Sequence, residues 1–209
     1  MMPLLILTAA AYLIGSIPFG VIVMRLATGR DIRQEGSGNI GAANVYRVTG
    51  LRLGIVVLAL DLAKGAIAVV LAQRVMPQPV AAVVAGIAVV VGHNWSVFLR
   101  GQGGKGIATS YGVLLALSPV AGGVAAAIWI VVVALTRYAS AGSLTGVLSV
   151  PLVMWLSQEP VEHLVFGVAA VVFAFYRHRA NIRRLLRGEE LKLGHHSSAG
   201  AHAVKDTHA

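Results

Sequence analysis

Four long stretches of the chain, residues 3–24, 75–99, 107–136 and 138–158, contain no Asp, Glu, Lys or Arg. A helix needs about 20 apolar residues to cross the hydrocarbon core of a bilayer, so runs of this length predict membrane spans. The pattern places spans at 3–24, 53–72 and 80–99. The apolar run 107–135 is either one long span or two short ones. Pro119 is a helix-stopping signal and divides it into a short helix, 107–117, and a longer one, 120–135. Two further spans follow at 141–156 and 161–176. The predicted fold is all-α: a polytopic membrane helix bundle of seven transmembrane helices, with five as the alternative. At ~1.5 Å per residue the fourth helix is only about 16 Å long, so it reaches part-way and relies on its neighbours to surround it.

Positive charge orients the bundle. Arg25, Arg30, Arg33, Arg47 and Arg52 follow the first span, and Arg100 and Lys105 follow the third. Arg177, Arg179, Arg183, Arg184 and Arg187 follow the last. Lys and Arg gather in cytoplasmic loops, and splitting the run at Pro119 puts all these groups on that side. Residues 36–47, 93–105, 137–143 and 178–190 then converge on the cytoplasmic face as one composite site. Residues 1–192 make a single integral membrane domain. The stretch 193–209, small, polar and scattered with histidine, reads as a disordered cytoplasmic tail. Its His195–His196 pair is weak as a metal signal.

Composition agrees with the hydropathy pattern: 57% hydrophobic and 12% charged, against roughly 45–50% and about 25% in soluble domains. The absence of cysteine excludes disulfide and thiolate chemistry. The first run lacks the positive start of a cleaved signal peptide and is longer than its core, so it reads as an uncleaved span. The formal charge of +9 is explained mostly by topology and in part by an anionic ligand. A basic stripe on a soluble face, the footprint of nucleic-acid binding, is missing.

The polar clusters carry the chemistry. Residues 36–47 offer three glycines, Ser37, Asn39, Asn44 and Arg47, the parts of an anion-binding concavity. Gly36-x-Gly38-x-x-Gly41 also matches the dinucleotide pattern. That pattern needs a strand before it and a helix after it, whereas Arg33-Gln34-Glu35 precedes it here, so the reading is rejected. The second cluster runs from Gly92-His93-Asn94 through Gly101-Gln102-Gly103-Gly104-Lys105-Gly106 to Ala108-Thr109. It is not a Walker loop, because Gly106 stands where Ser or Thr belongs. It has phosphate-binding logic all the same: a close backbone, a lysine and a following helix N-terminus. The alternative is a flexible loop with an interfacial lysine.

In the third cluster, His178-Arg179-x-Asn181, a helix would put His178 and Asn181 on one face. Its arginines also suit pairing with lipid headgroups. Asp61 and Lys64 lie inside a span, where each costs roughly 2.5–3.5 kcal/mol. At i, i+3 they either pair with each other or brace the site. Ser140 and Ser143 form a smaller cluster with Arg137. His163 reads as interfacial. No zinc-ligand spacing, carboxylate pair or Ser-His-Asp order stands out, so no metal or cofactor is implied.

Together these clusters resemble those of the bacterial membrane acyl-phosphate:glycerol-3-phosphate acyltransferases. The resemblance rests on Ser37-Gly38-Asn39-x-Gly41-x-x-Asn44-x-x-Arg47, on Gly92-His93 through Gly103-Gly104-Lys105 to Ala108-Thr109, and on His178-Arg179-x-Asn181 to Gly188-x-Glu190. It is supported by Asp61-Leu62-x-Lys64-Gly65 and Arg137-Tyr138-x-Ser140-x-x-Ser143. It implies transfer of a fatty acyl group from acyl phosphate to the 1-hydroxyl of glycerol 3-phosphate at the inner membrane of a bacterium. The products are lysophosphatidic acid and phosphate, the first acylation of phospholipid synthesis.

As catalytic residues the resemblance implies Ser37, Arg47, Lys105, His178 and Asn181. As substrate-binding residues it implies Gly38, Asn39, Gly41, Asn44, His93, Gly103, Gly104, Gly106, Thr109, Ser140, Ser143, Arg179 and Glu190. Ala43 replaces a usual threonine, and Gly101-Gln102 replaces an aromatic and often basic pair. A transporter for an anionic solute is the competing class, but it would spread polar residues across the whole bilayer. Preferred acyl length and oligomeric state are not encoded legibly.

Overall fold

The computed structural model describes residues 1–194, and all but the first two residues of the expected tail, 193–209, lie outside the described residues, His195 and His196 among them. Ten α-helices follow one another with no strand among the described residues. They are α1 (Met2–Ser16), α2 (Phe19–Thr28), α3 (Ala42–Thr49), α4 (Leu51–Val75) and α5 (Pro79–Asn94), then α6 (Ile107–Leu117), α7 (Pro119–Thr136), α8 (Ala139–Leu156), α9 (Val161–Arg177) and α10 (Arg179–Arg187). Helices stand at all seven positions predicted from hydropathy, and the run at 107–135 does divide at Pro119. Among the described residues, five segments are long and apolar enough to cross a membrane: Met2–Thr28, Leu51–Val75, Pro79–Leu99, Pro119–Thr136 and Ala139–Leu156. α9 has 17 residues and turns by 60° into α10, while α6 has 11.

Two details differ from the hydropathy reading. The first span is not continuous: α1 stops at Ser16 and α2 resumes at Phe19, because Pro18 has no N–H to extend the ladder. Residues 36–47 are not all loop either, since the second half forms α3.

Small residues let the helices meet at backbone distance. On α4, a Cβ at Gly65 would overlap the Thr109 carbonyl of α6, and a Cβ at Gly112 on α6 would overlap the Leu62 carbonyl of α4. Gly15 of α1 and Gly92 of α5 make the same reciprocal contact with Val89 and Tyr12. Lipid tails are as apolar as leucine, so this close van der Waals packing holds the helices together. The short α6 depends on it most, lying along α4 with α5 and α7 beside it. The main core runs through Val69, Val89, Val113, Val150 and Phe166. A second cluster of Met24, Ile32, Ile40, Val45 and Val57 sits beneath α3 and carries the loop before it.

The glycine contacts predict opposite responses from two positions on neighbouring helices. Gly112→Val places side-chain carbons against the Leu62 backbone and lowers the melting temperature in detergent, at an overpacking cost of roughly 1–3 kcal/mol or more. Gly123→Ala meets nothing within 4 Å and leaves the melt unchanged or slightly higher. Equal melts for the two variants would overturn this account of the α4–α6 contact.

Candidate active site

The loop from α2 to α3 is built around Asn44, which is 1% exposed. Its Oδ1 accepts the Ser37 N–H at 2.8 Å, and its Nδ2 donates to the carbonyls of Glu35 and Asn39, each at 2.9 Å. Asn39 Oδ1 in turn accepts the Gly41 N–H at 2.9 Å. Gly36 has φ of 55°, and a Cβ there would overlap the Asn44 side chain, so only glycine lets Asn44 stitch the loop. Asn44 is thus a scaffold whose hydrogen bonds stay inside the loop. Ser37, Asn39 and, one turn into α3, Arg47 are left facing a cleft. Arg47 Nη2 also donates to the Leu191 carbonyl at 3.2 Å.

The second cluster reaches the same cleft through Lys105 and Gly106, just before α6. His93 supports the loop from below: its carbonyl accepts the Gly104 N–H at 2.9 Å, and a Cβ on Gly104 would overlap His93 Nε2. His93 Nδ1 lies 2.9 Å from Lys64 Nζ. An ammonium can only donate, so Nδ1 accepts and the imidazole carries its proton on Nε2. Lys64 also lies 2.8 Å from Asp61 and donates to the Ile17 carbonyl at 3.0 Å. The two expectations for Asp61 and Lys64 are therefore both met: they pair with each other, and through His93 they brace the loop.

The third cluster stands where α9 breaks into α10. His178 caps that break, and its Nδ1–H donates to the Ala174 carbonyl at 2.8 Å, which leaves Nε2 as the proton-accepting nitrogen. Burial above all, then the Lys105 charge, pushes the His178 pKa down to about 4, so the imidazole is neutral near pH 7. Asn181 Oδ1 accepts from Lys105 Nζ at 2.5 Å, and Asn181 Nδ2 donates to Glu190 Oε1 at 2.5 Å.

Glu190 follows Gly188, whose φ is 71°, and its strand of chain returns across the cleft. It accepts from Ser140 Oγ at 2.7 Å and from Arg184 Nε at 2.8 Å. Those bonds fix the Asn181 amide with its oxygen toward Lys105. Burial is the largest influence on the Lys105 pKa, and with Arg184, Arg47 and Arg177 it outweighs Glu190 and brings the pKa down to about 8. Ser143 also lines the cleft. Its Oγ donates to the Ala139 carbonyl at 2.8 Å and accepts from Trp129 Nε1 at 3.3 Å.

The four clusters thus meet in one cleft of about 660 Å³. Its polar head is formed by Ser37, Arg47, Lys105, His178, Asn181 and Glu190. An apolar arm leads away between α4, α6 and α7, lined by Leu58, Leu62, Tyr111, Leu115, Trp129 and Ile130.

Among the residues implied from sequence, Gly41, His93, Gly106, Ser140 and Ser143 also reach this wall, whereas Gly38, Gly103 and Gly104 shape the loops behind it. Thr109 is fully buried against α4. Arg179 is directed elsewhere, donating to the Tyr176 carbonyl at 3.1 Å and stacking 4.7 Å from that ring. His163 pairs with Glu159 at 2.8 Å, away from the cleft. Leu193, assigned to the tail, also lines the cleft, and its N–H donates to the Arg137 carbonyl at 2.8 Å. Arg184, Tyr111 and Trp129 are cleft residues that sequence reasoning missed. Arg184 was hidden in a basic run, and the two aromatics sit in apolar runs with no polar neighbour to mark them.

Comparison with known proteins agrees with this geometry. The family model described as Glycerol-3-phosphate acyltransferase matches residues 5–188. A relative of that name from Desulforudis audaxviator is 51% identical over 180 residues, covering 86% of this chain and 90% of its own. One from Myxococcus xanthus is 48% identical over 187 residues, covering 88% and 96%. The crystal structure of PlsY, an integral membrane glycerol 3-phosphate acyltransferase, in its glycerol 3-phosphate form superposes with a TM-score of 0.87 at 38% identity, over 92% of this chain and 96% of that one. Its lysophosphatidic acid form gives a TM-score of 0.85 at 36% identity. The resemblance first drawn from the polar motifs extends over nearly the whole chain, which belongs to the glycerol-3-phosphate acyltransferase family.

Proposed function

We propose that the protein is an integral membrane acyltransferase that moves a fatty acyl group from acyl phosphate to the 1-hydroxyl of glycerol 3-phosphate. It yields lysophosphatidic acid and inorganic phosphate, with residues 1–192 acting as one domain and the polar head facing the cytoplasm. The observation that carries this reading is the joining of a cationic head to an apolar arm in a single cleft. Both substrates bring phosphate and one brings a hydrocarbon tail. The names borne by its relatives support the acceptor. An acyl phosphate donor suits a site that needs no nucleophile of its own, since a mixed anhydride is already activated.

Lys105, Arg47 and the glycine loops hold phosphate and offset the charge of the departing group. Ser37, Asn39 and adjacent backbone amides orient the acyl carbonyl and stabilise its developing oxyanion. His178, Asn181 and Ser143 place glycerol 3-phosphate. The acceptor oxygen bonds to the acyl carbon, the bond from that carbon to phosphate oxygen breaks, and the hydroxyl proton passes to His178 Nε2. Free of substrate the imidazole is a weak base with a pKa of about 4. Two bound phosphates raise its proton affinity, so it strengthens as a base when the reactants arrive.

Purified enzyme with acyl phosphate and glycerol 3-phosphate in EDTA should form lysophosphatidic acid at its full rate. No product there, with acyl-CoA active instead, would overturn the donor assignment. His178→Gln should lower kcat by about 10²–10⁴-fold while substrate still binds. Turnover at the wild-type rate would assign the proton to the donor's own phosphate instead. Lys105 is charged below a pKa of about 8 and loses its charge above it, so kcat/KM should fall as pH rises through that value. Lys105→Arg should carry that fall upward by more than a unit, because guanidinium stays charged throughout. An unshifted alkaline limb would remove Lys105 as its cause.

A further inference from the structure

Arg177, the last residue of α9, appears in the sequence only as one of many cytoplasmic charges. In the structure its guanidinium reaches back across 73 residues. Nε donates to the Gly104 carbonyl and Nη2 to the Gly103 carbonyl, both at 2.8 Å. The guanidinium also lies 5.5 Å from the centroid of the Trp95 ring. Phe173 and Tyr176 of α9 pack around that indole, with centroids at 5.9 and 6.2 Å. The fork is therefore held on an aromatic shelf, and two parallel bonds of this kind fix orientation as well as distance. Neither Arg177 nor Trp95 lines the cleft, whereas Lys105 and Gly106, the next residues along the loop, do.

We propose that Arg177 is a positioning residue for the phosphate loop: it holds the Gly103 and Gly104 carbonyls on the side away from the cleft and so presents Lys105 and the start of α6 to an anion. A peptide oxygen facing phosphate would repel it, whereas the first N–H groups of a helix, which lack intrahelical partners, attract it. Two glycines in succession give this loop wide backbone freedom, and with the Gly104 N–H already committed to His93, binding both carbonyls restrains it further. Because His178 follows Arg177 directly, the same contact sets the spacing between the phosphate loop and the proton acceptor. The Lys105–Asn181 bond at 2.5 Å crosses that junction.

The inference rests on the acyl phosphate and glycerol 3-phosphate reading only for its turnover assay. Arg177→Lys and Arg177→Gln should raise the KM of a phosphate substrate by about tenfold or more, with a smaller change in kcat. They should weaken the binding of inorganic phosphate, measured by calorimetry, by a similar factor. Lysine keeps the charge but cannot reach both carbonyls at once, so it should not rescue, while methylguanidinium added to Arg177→Ala should restore part of the loss. Trp95→Phe, which weakens the shelf, should move KM and phosphate affinity in the same direction by a lesser amount, and it carries the test if the Arg177 variants do not fold. A fall in kcat with unchanged KM and phosphate affinity, or wild-type behaviour in Arg177→Lys, overturns the proposal. If wild-type enzyme binds phosphate yet does not turn over acyl phosphate, the functional reading fails while the calorimetry still decides the role of Arg177.

Discussion

The ammonium of Lys64, buried in the second span, is the joint on which the half of the fold that carries the polar head turns. A charge in this position is tolerated only when it is paired, and its partners come from three separate elements. Asp61 lies 2.8 Å away on the same helix, an ion pair rather than a well-angled hydrogen bond, since Asp61 Oδ1 lacks a hydrogen-bond partner. Ile17 offers its carbonyl at the break made by Pro18, where it also accepts the Phe19 N–H at 3.1 Å. His93 offers an imidazole nitrogen from α5. Removing one member of such a buried group costs about 3–5 kcal/mol, because the others are stranded. The cost of the charge is thereby turned into geometry: one side chain ties the break that Pro18 makes in the first span to α4, to α5 and to the floor beneath Gly104.

Above that floor the balance of charge is deliberately uneven. Arg47, Lys105 and Arg184 face the cleft, and Glu190 is the carboxylate set among them, while Asp61 is taken up by Lys64. Glu190 is committed to Ser140, Asn181 and Arg184. It therefore organises the head while offsetting only part of its charge. Burial depresses the proton affinity of both Lys105 and His178, and the surplus of positive charge adds to it; on the proposed function, bound phosphates would offset the part due to charge. A site of this kind is at its lowest free energy when occupied by anions.

The sequence pattern revealed the helices because bilayer thickness dictates run length, and Pro119 divided an ambiguous stretch correctly. It revealed the polar head because charged and glycine-rich segments are costly inside an apolar protein. The break at Pro18 was masked because apolar residues continue on both sides of it, and α3 because its residues are mixed in character. The apolar arm was invisible for a different reason. Trp129 and Ile130 face the cleft while other residues of α7 face lipid, and both surfaces select the same residue types. Arg177 was hidden by degeneracy of another kind, since an arginine that anchors a helix and one that clamps a loop look alike in sequence. Only the direction of the guanidinium separates them.

On the proposed reaction, the division of the cleft into cationic head and apolar arm explains how so small a protein would suffice. A mixed anhydride reacts readily once a hydroxyl is held beside it, and proximity alone supplies up to about 7–11 kcal/mol when the geometry is right. The donor and the product are both amphiphiles, and the arm is lined by α4 and α7 residues that also stand exposed on the bundle surface, among them Leu58 and Ile130. A hydrocarbon tail lying there exchanges with the bilayer without leaving an apolar medium, so chain transfer costs little desolvation. The phosphate head remains in the polar mouth throughout. The work left to the protein is then to hold two phosphates at a fixed separation, and that is what the clamps on Asn181, Gly103 and Gly104 are placed to do.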